Sequence, residues 1–223
     1  PEGQVWSPDG AVQRRVALFA GCVMSTAYAE IDRATARVLA ANGCLVIAAP
    51  RQGCCGALHV HSGELAGAKA LARRNVDAFA GLPVDAIVTN AAGCGATLKS
   101  YGHLLAYDPA NAARAAAMAA KVKDVSEFLA AIDLNRRLGE IRATVTYQEP
   151  CHLAHAQRIQ AAPRTLPIPI LGATWPPPAP TAMAPTAMPS RAPTWPPWPA
   201  WKKPKPCKRW LISGAATDPQ QSC

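Results

Sequence analysis

The 223-residue chain contains no run of about 18 apolar residues, the length a membrane-crossing helix requires. Its first residues, Pro1-Glu2-Gly3-Gln4, carry neither the basic start nor the apolar core of a signal peptide, so a soluble, cytoplasmic protein is expected. Acidic residues are scarce: 14 Asp and Glu stand against 23 Lys and Arg, a formal charge of +9. That excess does not gather on a helix face, where a nucleic-acid binder would need it. It collects in the Pro-rich stretch Lys202-Lys203-Pro204-Lys205-Pro206-Cys207-Lys208-Arg209, and nucleic acid is set aside as a partner. Paired CxxC knuckles, the usual mark of a structural zinc site, are missing as well. The eight cysteines stand in an Ala-rich, helix-forming body without secretory features, which favours metal or redox use in a reducing compartment over disulfides.

Proline and tryptophan are unevenly spread. Fifteen of the 22 prolines and five of the six tryptophans lie in residues 165–223, where Ala-Pro-Thr-Ala-Met occurs at 179 and again at 184. Such text cannot bury a core, so 165–223 is expected to be a low-complexity, disordered tail. Two origins fit it: out-of-frame reading of a GC-rich gene, or a Pro-rich ligand for SH3-like or WW-like domains. At the other end, residues 1–14 are polar and begin without methionine. They read as a linker entered from an upstream domain, and the chain reads as a piece of a longer protein.

Between these ends, short apolar runs alternate with helical spacing. Val16–Ala20 reads as a strand ended by Gly21-Cys22, followed from Ala27 by a helix with Ile31, Ala34, Val38 and Leu39 on one face. Gly43 is the expected left-handed stop before a second strand, Cys44–Ala48. Ser62 is placed as the cap of a helix burying Leu65, Ala68, Ala72, Val76 and Phe79. Val84–Thr89 gives a third strand, and Asn90–Gly95 turns into another helix. Asp108-Pro109 opens an Ala-rich helix running through Val122, and Asp124 with Glu127 has the spacing of a capping box. Ala143–Gln148 reads as a further strand ended by Pro150-Cys151-His152, much as Gly21-Cys22 ends the first. This alternation predicts an α/β fold, a parallel sheet flanked by helices, over 15–142, with 143–164 beginning a second copy.

Three of the loops that follow strands hold Gly21-Cys22, Gly53-Cys54-Cys55-Gly56 and Gly93-Cys94-Gly95. In a parallel sheet those loops share the carboxyl edge, so Cys22, Cys54, Cys55 and Cys94 can converge on one site. The flanking glycines let backbone approach closely and free amide groups to bond sulfur. Thiolates suit zinc or an iron-sulfur cluster, and adjacent Cys54-Cys55 suits a multi-iron cluster better than a tetrahedral knuckle. Cys44, inside an apolar strand, reads as an inert core thiol. Cys207 and Cys223 fall in the tail. Arg73, Arg74, Arg136 and Arg137 read as solvated charges, His59 and His61 as loop histidines that could instead tune a cluster or move protons, and His152 as a surface or capping histidine that could instead be a ligand or donate to one.

A Cys, then a CCG, then a CxxC at long spacing resembles the CCG cysteine-rich domain, which occurs in heterodisulfide reductases, lactate-utilisation iron-sulfur proteins and the glycolate oxidase iron-sulfur subunit. The phrases Gly53-Cys54-Cys55-Gly56-Ala57-Leu58-His59, Asn90-Ala91-Ala92-Gly93-Cys94-Gly95 and Glu149-Pro150-Cys151-His152-Leu153 are most similar to the last, over roughly residues 15–160. Position 91, where the family's first CxxC cysteine would stand, is Ala91. The resemblance implies an iron-sulfur electron-transfer subunit with no catalytic residue of its own. Its cluster, of 4Fe-4S type, would be held by Cys22, Cys54, Cys55 and Cys94, with Cys151 as a further cofactor-binding residue from the second repeat. It implies flavin-containing dehydrogenase subunits as partners in oxidising glycolate or a related 2-hydroxy acid. It also implies a membrane quinone as acceptor, with peripheral association at the inner membrane face, and a ferredoxin-type domain upstream of residues 1–14. A second CCG, due near residues 183–190, is replaced there by Met183-Ala184-Pro185-Thr186-Ala187-Met188-Pro189-Ser190. Two other readings stay open: a lactate-utilisation or heterodisulfide-reductase-like subunit with thiol chemistry at the cluster, and a zinc-stabilised structural module.

Overall fold

The computed structural model describes residues 3–135 and 147–166. The elements run β1 (Val5–Trp6), β2 (Arg14–Leu18), α1 (Val23–Ala27), α2 (Ala29–Ala41), β3 (Cys44–Ala48), α3 (Ala57–His61), α4 (Leu65–Phe79), β4 (Ala86–Thr89), α5 (Ala92–Lys99), α6 (Tyr101–Leu104), α7 (Ala112–Lys121), β5 (Val122–Asp124) and α8 (Val125–Ala130). A π-helical turn at His152–Ala156 and α9 (Ala161–Thr165) follow. The expected α/β class is what forms: five strands in the order β1-β3-β2-β4-β5, with β2, β3, β4 and β5 parallel and the short β1 antiparallel on the edge. Val5 and Trp6, within the stretch that reads as a linker, pair with Ile47 and Val46.

Both faces of β2 are covered, which explains its uninterrupted apolar text. Side chains alternate across a strand, so Val16 and Leu18 join Leu39, Val46, Val88 and Phe128 under α2 and α8. Ala17, with Phe19 just beyond the strand, packs with Val76, Phe79, Ile87, Leu98 and Tyr101 under α4 to α7. The crossover from β2 to β3 therefore lies on one face and those from β3 to β4 and from β4 to β5 on the other. β2 sits at the reversal, and its carboxyl end opens the crevice where such sheets hold ligands. The register lines up Leu18 with Ala48 and Val88 across the three central strands. Their following loops thus leave the sheet at one level.

Several local expectations shift. Of the stripe expected on α2, Ala34 and Leu39 are buried, together with Asp32, Thr35 and Ala36, while Ile31 is exposed. Ser62 closes α3 instead of opening α4: Gly56, at φ +82°, lets a helix start directly after the second cysteine, and Ser62 is used up as its end. Glu64 caps α4, its Oε1 accepting from Gly67 N at 3.1 Å, and Leu65 faces solvent while Ala68, Ala72, Val76 and Phe79 are buried. Asp108 organises the turn before α7, accepting from Ala110 N and Asn111 N, and Asn111 takes the cap position. Val122 leaves the helix to pair with Ile87 in β5, as a β-branched residue beside an open strand edge does. Gly43 has the expected left-handed φ of +78°, and the capping box of Asp124 with Glu127 is formed. Of the strand expected at Ala143–Gln148, residues 143–146 lie outside the described residues, and Tyr147 and Gln148 are irregular. Arg136, Arg137, the tail beyond Leu166, Cys207 and Cys223 are likewise outside them.

Candidate metal centre

The carboxyl edge of the three central strands brings four sulfurs together in two pairs. Cys55, 3% exposed, donates its thiol to Cys94 Sγ at 3.1 Å. Cys22, which opens α1 and is exposed, lies next to Cys54. Gly21, at φ +67°, makes the turn that places these pairs side by side: a Cβ on it would come within 3.9 Å of Cys94 Sγ. Cys54 Sγ also accepts from Gly56 N at 3.4 Å, the kind of N–H to sulfur contact that settles a thiolate. Adjacent residues of one loop therefore serve different pairs, Cys55 the inner and Cys54 the outer.

Their proton affinities follow from this pairing. Cys55 is pushed far up, first because its thiol donates to Cys94 and then by burial. The same bond holds Cys94 below the usual thiol range, so the inner pair shares one proton. Cys22 is raised by partial desolvation and next by Cys54 beside it, although the residue as a whole is open to solvent. Crowded sulfurs cannot all ionise without cations among them. Thiols in such a set can exchange their protons for metal.

Three buried polar side chains hold the loop that carries Cys54 and Cys55. Asn75, on the inner face of α4, accepts from Gly53 N at 2.8 Å and donates through Nδ2 to Cys54 O at 2.8 Å and to the Tyr101 hydroxyl at 2.9 Å. Tyr101 in turn donates to Cys55 O at 2.9 Å. Gln52 accepts from Ala20 N at 2.8 Å and donates to Ala49 O at 2.9 Å, tying this loop to the turn before Cys22. Arg74 is exposed, as expected of a solvated charge, and its guanidinium also donates to Arg51 O and Gln52 O. Asn75, Tyr101, Gln52 and Arg74 escape a search for cysteines and histidines. Asn75 alone leaves a trace, as an amide inside an apolar helical stripe.

Cys151 is exposed at the start of the π-helical turn, and among the described residues no hydrogen bond joins it to the four. That turn packs on α5, and Gln157 after it donates to Ala92 O at 2.8 Å, two residues before Cys94. The His152 ring meets His61 edge-on, centroids 5.4 Å apart. His59 packs against Gly67 with its Nδ1 buried and unpartnered. Cys44 lies at 0% exposure in the apolar cluster under α2.

Four thiols without carboxylate or imidazole form a soft donor set. Among the described residues no three His, Cys, Asp or Glu groups converge closely enough to hold one bare ion, and the two-pair layout fits a group that spreads its ligands over several metal atoms. Residues 16–99 match the family described as CCG, the cysteine-rich domain. It is 45% identical over 159 residues, 70% of its length, to the probable glycolate oxidase iron-sulfur subunit of Bacillus subtilis (strain 168). It is 35% identical over 152 residues, 66% of its length, to the glycolate oxidase iron-sulfur subunit of Escherichia coli (strain K12). Lactate utilization protein A of Geobacillus kaustophilus (strain HTA426) is 32% identical over 153 residues, 68% of this chain. The matched regions span 36%, 37% and 63% of those three proteins respectively.

Proposed function

We propose that this chain is part of an iron-sulfur electron-transfer subunit of a 2-hydroxy-acid oxidising complex, with Cys22, Cys54, Cys55 and Cys94 holding a 4Fe-4S type cluster. The observation that carries the reading is the convergence of four thiols, from the segments that follow three parallel strands, at the reversal point of the sheet. The names of the B. subtilis and E. coli relatives supply glycolate as the substrate of the whole complex. Flavin-containing dehydrogenase subunits are the electron donors in this reading and a membrane quinone the acceptor. Among the described residues no helix is long and apolar enough to cross a membrane, so contact with a membrane pool would be peripheral or through a partner. A cytoplasmic location, a ferredoxin-type domain before residues 1–14, and a second repeat beginning at 143–164 with Cys151 as its first sulfur belong to the same proposal. So does a tail at 165–223 foreign to the family.

A bound cluster would supply one-electron storage. The chain's own residues supply the rest. Asn75, Tyr101 and Gln52 fix the loop so that Cys54 and Cys55 point to separate pairs. Gly56 N stabilises charge on Cys54. Burial of Cys55 keeps water from the inner pair, while exposure of Cys22 leaves the outer pair accessible to a docking redox partner. In this reading substrate oxidation belongs to a different polypeptide of the complex.

The test is anaerobic reconstitution of the chain with ferrous iron and sulfide, followed by metal and acid-labile sulfide analysis and EPR. Iron and sulfide in about equal amounts are expected. Stoichiometric zinc without sulfide would overturn the reading. The lactate-utilisation relative supports a second version, in which the complex oxidises lactate. The flavin protein that co-purifies, assayed with glycolate and lactate, separates the two.

A further inference from the structure

We propose that Asp32 takes up one proton when the four-cysteine site gains an electron, so that electron and proton enter this edge of the sheet together. The inference rests on the reading of the site as a one-electron carrier. It starts from a buried carboxyl that the site's own chemistry does not use. Asp32 lies in the first turn of α2 at 0% exposure. Its Oδ1 accepts from Asn90 Nδ2 at 3.1 Å, but its Oδ2 is buried with no partner. Asn90 Nδ2 is shared with Thr35 Oγ1, also at 3.1 Å, and Asn90 Oδ1 is a second buried acceptor without a donor. Two orphaned oxygens in one polar pocket leave it short of a hydrogen. A proton on Asp32 Oδ2 turns one orphan into a donor.

Position makes that proton relevant to the sulfurs. Asn90 lies just before α5, whose first turn carries Cys94, and the Asp32 charge is felt at Cys94, where it opposes thiolate formation. No Lys, Arg or His among the described residues pairs with Asp32: Glu30 and Arg33 on its own helix pair with each other at the surface. The other elements packed on α2 contribute few titratable groups. β1 has none, β3 has only buried Cys44, and α1 follows Cys22. Burial pushes the carboxyl up to about 6, against the pull of the Asn90 bond. At neutral pH the group is thus mostly ionised yet needs little added negative charge to protonate. An electron arriving beside it supplies that charge, and by linkage a proton on Asp32 strengthens electron uptake by the same amount. In the balanced step a one-electron reductant such as reduced flavin gives the electron to the site. Water gives the proton to Oδ2, and the net charge of the pocket stays constant.

The test uses the full chain, reconstituted anaerobically with iron and sulfide and titrated with dithionite under EPR and visible absorption at several pH values. The wild-type midpoint potential is expected to fall as pH rises between about 6 and 8, and Asp32→Asn to hold the wild-type acid-side value throughout. A flat wild-type potential, or the same slope in both proteins, overturns the role of Asp32. Redox-difference infrared spectra of the wild type need no variant. A protonated-carboxyl band is expected to appear on reduction, and its absence overturns the proposal. Absence of bound iron and sulfide from both proteins overturns the electron-carrier reading beneath it, whereas a bound cluster with a pH-independent potential overturns only this inference.

Discussion

Replacing Asn75 by Ala removes the acceptor of Gly53 N and the donor to both Cys54 O and the Tyr101 hydroxyl. Each bond is worth about 1 kcal/mol net, and truncating a fully buried side chain adds a packing loss of similar size. Gly53 and Cys54 are only half-buried, so water can replace part of what they lose. The expected cost is about 3 kcal/mol, a large share of the ~5–15 kcal/mol that holds a domain together. Tyr101→Phe removes the bond to Cys55 O and the hydroxyl that Asn75 serves, for about 1–2 kcal/mol. Because the two residues share one bond, the double variant should cost less than the sum of the singles. Urea unfolding of the unloaded chain, followed by circular dichroism, gives the energies. Anaerobic alkylation of Cys54 and Cys55 reports the loop itself and should be faster in Asn75→Ala than in wild type. Stability within about 0.5 kcal/mol of wild type, together with unchanged alkylation, would refute the clamp.

Asp32→Asn in the unloaded chain should change how stability depends on pH. The folded carboxyl titrates at about 6 against 3.8 when unfolded, so its contribution is fully present below about pH 4 and is lost as pH rises through about 6. The variant lacks that slope, and at pH 8 it should gain at most about 3 kcal/mol relative to its acid-side difference from wild type, measured by urea unfolding at each pH. Gly95→Ala would place a Cβ 2.7 Å from Gln157 Nε2, displacing it from Ala92 O. Hydrogen exchange at residues 151–159 should rise while the sheet stays protected. Cys44→Ala should cost about 1 kcal/mol and leave iron and sulfide loading unchanged, whereas Cys55→Ser should abolish or strongly reduce loading at nearly unchanged stability.

The strands that matter are legible because each is a short apolar run cut off by glycine or by a cysteine loop, a pattern that chain chemistry writes locally. Cys22, Cys54, Cys55 and Cys94 can be assigned to one edge from the sequence, since strand alternation alone puts their loops there. β5 is hidden: three residues at the end of an Ala-rich helix carry no period, and only the free edge of β4 draws them into the sheet. The helical stripe of α2 misleads because Ile31 is more apolar than Asp32, and the pull of a polar pocket at Asn90 is invisible to hydropathy. Asn75 is detectable in principle, lying three residues from Ala72 and four from Phe79 on a buried face. Gln52 and Tyr101 are not, as their partners at Ala20 and Cys55 lie 32 and 46 residues away.

The distance between the sulfurs in sequence has a consequence for the order of events during maturation. A CxxC hairpin can seize metal while the chain around it is still disordered. Here the sulfurs at 22, 54–55 and 94 meet only after three parallel strands have found their register and the long loops between them have closed, the slow kind of assembly. A nascent or nicked chain therefore offers no chelating fragment. In the proposed reading metal would be received last, by a framework already complete, and its arrival would certify that the fold has been reached.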